Sequence, residues 1–87
     1  MSTSTAFQTA VRAGVTHDRR LEAIETLVER EKTRNLATIV RTGGLRGEYR
    51  RRALEGLADC HATDHLEALA DDTTVEPSLR RRAADLV

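Results

Sequence analysis

Cys60, His61 and His65, flanked by Asp59 and Asp64, come nearest to a chemical constellation in this 87-residue chain. A thiolate and imidazoles at close intervals are the donors that zinc takes. The spacing argues against a site. Two His ligands share a helix face at i and i+4 on one continuous helix, whereas here the pattern puts Cys60 to Ala62 in a turn and His65 on the helix that follows. Only three N or S donors are at hand, so the expectation is no metal and no cofactor. Cys60 reads as a small apolar residue at a helix end, and the histidines as solvated turn residues. His17-Asp18 and Cys60-His61 are adjacent pairs, but a nucleophile and its base must meet in space with a third group orienting the base. No phosphate-cradling Gly loop, nucleophile elbow or paired-carboxylate motif is present. A chain of this length is also small for a preorganised pocket of about 300 Å³ or more. The sequence therefore points away from an enzyme.

The Arg clusters are the second candidate. Arg50, Arg51 and Arg52 recur as Arg80, Arg81 and Arg82, and Arg19-Arg20 stands one step earlier. A ladder of guanidinium groups could neutralise successive phosphates of a nucleic acid. Three consecutive helical residues point about 100° apart, so they cannot all face one ligand. One or two per cluster are expected to pair with acids such as Glu48, Asp71 or Asp72. Zero formal net charge and only one Phe and one Tyr, with no Trp to stack on bases, weigh against nucleic acid as the main partner. The charge is nevertheless laid out in blocks. Arg30 to Arg52 carries eight basic residues against Glu31 and Glu48, and Ala53 to Leu79 carries seven acids and no Lys or Arg. Such a dipolar surface can steer a charged partner or the opposite end of a second copy.

The elements that carry these residues are set by a self-similarity at an offset of thirty. Arg20 to Tyr49 laid over Arg50 to Leu79 matches Arg20/Arg50, Ala23/Ala53, Glu25/Glu55, Leu27/Leu57, Thr33/Thr63 and Leu36/Leu66, with Ile24/Leu54 and Ile39/Leu69 changing within type. A period near thirty signals stacked repeats whose apolar faces are buried only by their neighbours. Leu21, Ile24, Leu27 and Val28 form one helical stripe, and Leu36, Ile39 and Val40 a shorter one that ends at Gly43-Gly44. Glycine there is expected to take the left-handed conformation that closes a helix, as Gly14 would after a first helix over roughly Thr5 to Ala13. Asp64 and Glu67 resemble a capping pair at the start of a helix carrying Leu66 and Leu69. Pro77 suits the first turn of the last helix. The result is an all-α chain of about six short antiparallel helices.

The run Glu48-Tyr-Arg-Arg-Arg-Ala-Leu-Glu-Gly-Leu-Ala-Asp, then Asp64-His-Leu-Glu-Ala-Leu-Ala-Asp-Asp, then Pro77-Ser-Leu-Arg-Arg-Arg-Ala-Ala-Asp-Leu resembles the phycobilisome-lyase type of HEAT-like repeat. The chain departs from that pattern at Glu31-Lys32-Thr33, where the family usually has a Gly-Asp-type turn. The resemblance implies a short α-solenoid used for protein contacts, with the second helices lining a concave side. It divides residues 1–87 into a half unit (1–16), two units (17–46 and 47–76) and a half unit (77–87) of one HEAT-like domain.

The expectation that follows is a non-catalytic protein–protein interaction scaffold. Arg34, Arg41, Asp64, Glu67 and Asp71 would form its binding face. Ala83, Leu86 and Val87 would form an end face, suited to a second copy or another subunit. The alternative is a helical nucleic-acid binder that uses the Arg clusters, including a helix-turn-helix bundle with Thr33 to Thr42 or Asp64 to Asp71 as recognition helix. The second of these helices is acidic, and a bundle gives no reason for a thirty-residue repeat. A single cysteine, no run of about 18 apolar residues and no signal-peptide pattern at Met1-Ser-Thr-Ser-Thr lead to a cytoplasmic expectation with no membrane partner.

Overall fold

The computed structural model describes residues 1–87, and every regular element in it is helical. The helices are α1 (Thr3–Val11), α2 (His17–Glu29), α3 (Thr33–Val40), α4 (Gly47–Asp59), α5 (Thr63–Ala70) and α6 (Pro77–Leu86). The main pairings are α1 on α2, α3 on α4 and α5 on α6. Contacts of α2 with α4 and of α4 with α6 make one layer, and those of α1 with α3 and of α3 with α5 make the other. One core runs between the layers. Ala6 and Ala10 enter it from α1, Ala23, Ile24 and Leu27 from α2, Leu36, Ile39 and Val40 from α3, and Ala53, Leu54 and Leu57 from α4. Leu66 and Leu69 of α5, with Leu79 and Ala83 of α6, continue it, and Ala37, Tyr49 and Val75 complete it. Aliphatic side chains at helical spacing fill this interior, as the apolar stripes predict.

The helix ends differ from the sequence expectation in instructive ways. Gly14 does take the left-handed conformation (φ +79°), but Gly43 and Gly44 do not. Their turn is closed by Leu45 N–H donating to Thr42 O at 3.1 Å, and the same turn forms in Asp72 to Val75, where Val75 N–H donates to Asp72 O at 3.0 Å without any glycine. The left-handed residues at the ends of α2 and α4 are Glu31 (φ 55°) and His61 (φ 56°). In each case a Schellman motif forms around them. Lys32 N–H reaches Leu27 O and Ala62 N–H reaches Leu57 O, both at 2.9 Å, while Glu31 and His61 donate to Val28 O and Ala58 O at 3.0 Å.

That motif runs straight into the next helix, which leaves Ala62 at the N-cap of α5 with no side-chain cap. Asp64 therefore sits inside the first turn and does not form the capping pair with Glu67. Pro77 is in the first turn of α6, as its missing N–H allows. The first helix starts and stops two residues earlier than the sequence suggests, because the Ser2 hydroxyl accepts from Thr5 N–H at 3.1 Å and caps α1.

Candidate binding surfaces

The structure divides the Arg clusters between the fold and the surface. Arg50 is 3% exposed. Its Nε donates to Val40 O at 2.9 Å and its guanidinium pairs with Glu76 at 2.7 Å. Val40 is the last residue of α3, so Arg50 satisfies a helix-end carbonyl that has no partner within its own helix. Arg20 makes the corresponding bond to Ala10 O at the end of α1, at 2.7 Å. Arg52 grips Glu25 of α2 through two bonds of 2.5 and 2.7 Å and lies 3.6 Å from Asp59. Arg82 grips Glu55 of α4 in the same way, with both bonds at 2.8 Å.

The hydrogen bond donated by Arg82 holds the Glu55 carboxyl below its usual value, and the one Arg52 donates to Glu25 raises the Arg52 guanidinium. The acids engaged are thus Glu25, Glu55, Asp59 and Glu76 rather than the expected Glu48, Asp71 and Asp72: the α2–α4 and α4–α6 contacts align Glu25 and Glu55 with arginines 27 residues on, Glu76 reaches Arg50 from just before α6, and Asp59 lies on α4 itself. Arg80 is half-buried, with its Nε inside and unpaired. Only Arg51 and Arg81 of the two clusters stand exposed without an ion pair. Two side chains do not make the ladder that the clusters suggest.

Cys60 closes α4. Its Sγ lies 3.5 Å from Val28 O, and burial, followed by the nearby carboxylates of Glu31 and Asp59, pushes the thiol up. A thiol held protonated is a poor nucleophile and a poor metal ligand. His61 is exposed and His65 half-buried, and no three of the His, Cys, Asp and Glu side chains converge on a point.

The predicted face residues are distributed over α3, α5 and their C-terminal turns. Arg34, Asp64, Glu67 and Asp71 are exposed and make no ion pair, whereas Arg41 is drawn off to Asp72, at 2.7 Å. Asp72 also accepts from Thr74 N–H at 2.9 Å and from its hydroxyl at 2.6 Å. The Arg41 bond first, and those from Thr74 next, hold the Asp72 carboxyl down at about 2. At the end face the three predicted residues separate. Ala83 is fully buried against the chain's own core, Leu86 is half-buried and Val87 is 57% exposed. Ala83 therefore leaves the candidate surface. A shallow groove of about 270 Å³ joins Glu67, Ala70 and Asp71 of the α5 side to Ala84 and Val87 of the α6 side, which brings part of the two predicted faces together.

A further cleft escapes the sequence reading, which expects no space of this size. It measures about 410 Å³ and is lined by Val15, His17, Arg20, Gly44, Leu45, Arg46 and Tyr49. His17 Nδ1 lies 2.8 Å from the Tyr49 hydroxyl, and the Arg20 guanidinium sits 5.1 Å from the centre of the Tyr49 ring. The signal for it was present in the repeat as an opposite-charge exchange, Arg46 standing where Glu76 stands thirty residues later.

No protein-family model matches the chain, and no curated protein or solved structure matches it.

Proposed function

We propose that this chain is a non-catalytic protein–protein interaction module, built as a short α-solenoid of HEAT-like repeats and able to self-associate through α6. The observation that carries the reading is recurrence of architecture at one interval. The odd-numbered helices open at Thr3, Thr33 and Thr63, and the even-numbered helices at His17, Gly47 and Pro77, each thirty residues after the one before. The bracing contacts recur with them: Arg20 to Ala10 and Arg50 to Val40, Arg52 to Glu25 and Arg82 to Glu55. Arrays of this kind present long surfaces of repeated geometry, and their activity is binding. The exposed, unpaired charges Arg34, Asp64, Glu67 and Asp71 and the groove beside Val87 supply such a surface. Four of the six cluster arginines are paired with the chain's own acids or half-buried, which favours a protein over a nucleic acid as partner.

Self-association is tested by molar mass. Ala84 and Val87 are exposed, so Ala84→Glu with Val87→Glu should leave helix content and melting temperature nearly unchanged while converting a dimer to monomer in light scattering after gel filtration. Leu86→Glu is less clean because Leu86 packs on the core. Wild type that is monomeric at all concentrations, or an assembly that survives the double change, would remove self-association from the reading.

A further inference from the structure

We propose that the cleft between the α1–α2 and α3–α4 loops is a carboxylate-binding site, which seats an acidic side chain of a partner polypeptide against the buried guanidinium of Arg20. The inference rests on the interaction-module reading for its partner, but its geometry stands on the molecule's own internal comparison.

Arg20 and Arg50 occupy the same place in α2 and α4, and each caps the end of the preceding helix. Their surroundings then diverge at three positions. His17, Arg46 and Tyr49 line the cleft with Arg20, and the residues thirty later are Gly47, Glu76 and Leu79. Glu76 reaches the Arg50 guanidinium at 2.7 Å and neutralises it. Arg46 carries the opposite charge and lies 83% exposed at the rim, held only by a distant 4.0 Å approach to Glu48. Arg20 is consequently 8% exposed, has no carboxylate partner, and keeps a buried Nε with no acceptor. One backbone carbonyl and the face of Tyr49 are all that meet its charge.

A buried guanidinium is stable when paired and hydrogen-bonded, and it prefers the bidentate geometry a carboxylate offers. The equivalent place one step along the chain shows which group fills this frame: the carboxylate of a Glu. Here the chain supplies none, leaves about 410 Å³ of open space, and adds a second guanidinium and an imidazole at its edge. Val15 and Leu45 give the cleft an apolar wall. The occupant it fits is a Glu or Asp flanked by apolar residues, with Arg46 closing over the outer oxygen and the Tyr49–His17 pair fixing the wall behind. The apolar wall and the single deep guanidinium suit such a side chain better than a hydrated phosphate.

The test uses the full chain, labelled with ¹⁵N, titrated with the capped peptide acetyl-Ala-Leu-Glu-Leu-Ala-amide, its Glu→Gln counterpart and inorganic phosphate. The Glu peptide should shift the Arg20 Nε–Hε signal and the Leu45 amide, and bind at least tenfold more tightly than the Gln peptide. Arg46→Glu should place a carboxylate where Glu76 sits in the second frame. That variant should melt higher than wild type and no longer bind the peptide, whereas Arg46→Gln should melt like wild type and bind weakly. Equal binding of Glu and Gln peptides, binding of phosphate as tight as that of the Glu peptide, or peptide binding that survives Arg46→Glu would overturn the proposal. If Arg46→Glu closes the cleft while a native protein partner is still retained, this site fails and the interaction module stands. If the peptide binds but no protein partner exists, the reverse holds.

Discussion

At the scale of the residue, this protein is organised by arginines that serve different neighbours. Arg20 and Arg50 cap carbonyls inside the fold, Arg52 and Arg82 clamp one even-numbered helix to the previous one, and Arg41 ties the end of α3 to the loop before α6. The Arg41–Asp72 tie has a definite pH signature. Asp72 is held at about 2, below its ordinary 3.8, so the unfolded chain binds this proton more readily than the folded one. Its contribution is complete above the unfolded value and is lost as pH falls through about 2. Asp72→Asn should therefore lower the melting temperature at pH 7, with the gap to wild type closing between about pH 4 and pH 2. A gap that stays constant over that range would show the bond to be without weight.

Sequence alone exposed the Arg clusters but not their division of labour, because a side chain's partner 27 residues away depends on how two helices align. The left-handed Glu31 and His61 were likewise invisible. Each accepts a backbone conformation that costs a non-glycine residue about 1 kcal/mol, because the Schellman hydrogen bonds hold it there.

At the scale of the element, α2 and α4 meet with no room for a side chain at Gly56. Gly56 is buried, and a Cβ placed there would stand 2.5 Å from Val28 Cγ2 and 3.6 Å from Leu36 Cδ1. Alanine would gain about 1 kcal/mol of helix propensity at this position. Overpacking against a stiff, β-branched valine costs about 1–3 kcal/mol, so the clash outweighs the gain. Gly56→Ala should lose about 1 kcal/mol in urea denaturation, and the same change in a Val28→Ala background should lose nothing or gain stability. Additive effects of the two changes would place the constraint elsewhere. The helices themselves were legible from apolar spacing, since Ile24, Leu27, Leu36, Leu54, Leu57 and Leu66 all fall in the core. Their ends were not, because at Gly43-Gly44 and Asp64 the turn is closed by backbone bonds that any residue type can make.

At the scale of the whole molecule, we propose that a helical array whose cluster arginines are mostly paired with its own acids or half-buried serves to bind protein. Six short helices and no strand were legible from the sequence, whereas the partners of the arginines that brace them were not. Which surfaces remain free is a matter of packing. Ala83 was legible as apolar but not as covered, and the cleft at Arg20 arises because Arg46 replaces an acid in an otherwise repeated frame.

The decisive experiment is affinity capture of the tagged full chain from its native lysate, split into nuclease-treated and untreated halves. A stoichiometric protein partner should survive nuclease and be lost when Glu67 and Asp71 are changed to Lys. Recovery that collapses on nuclease treatment, and with Arg51→Gln and Arg81→Gln, would contradict it and make the exposed arginines a nucleic-acid contact.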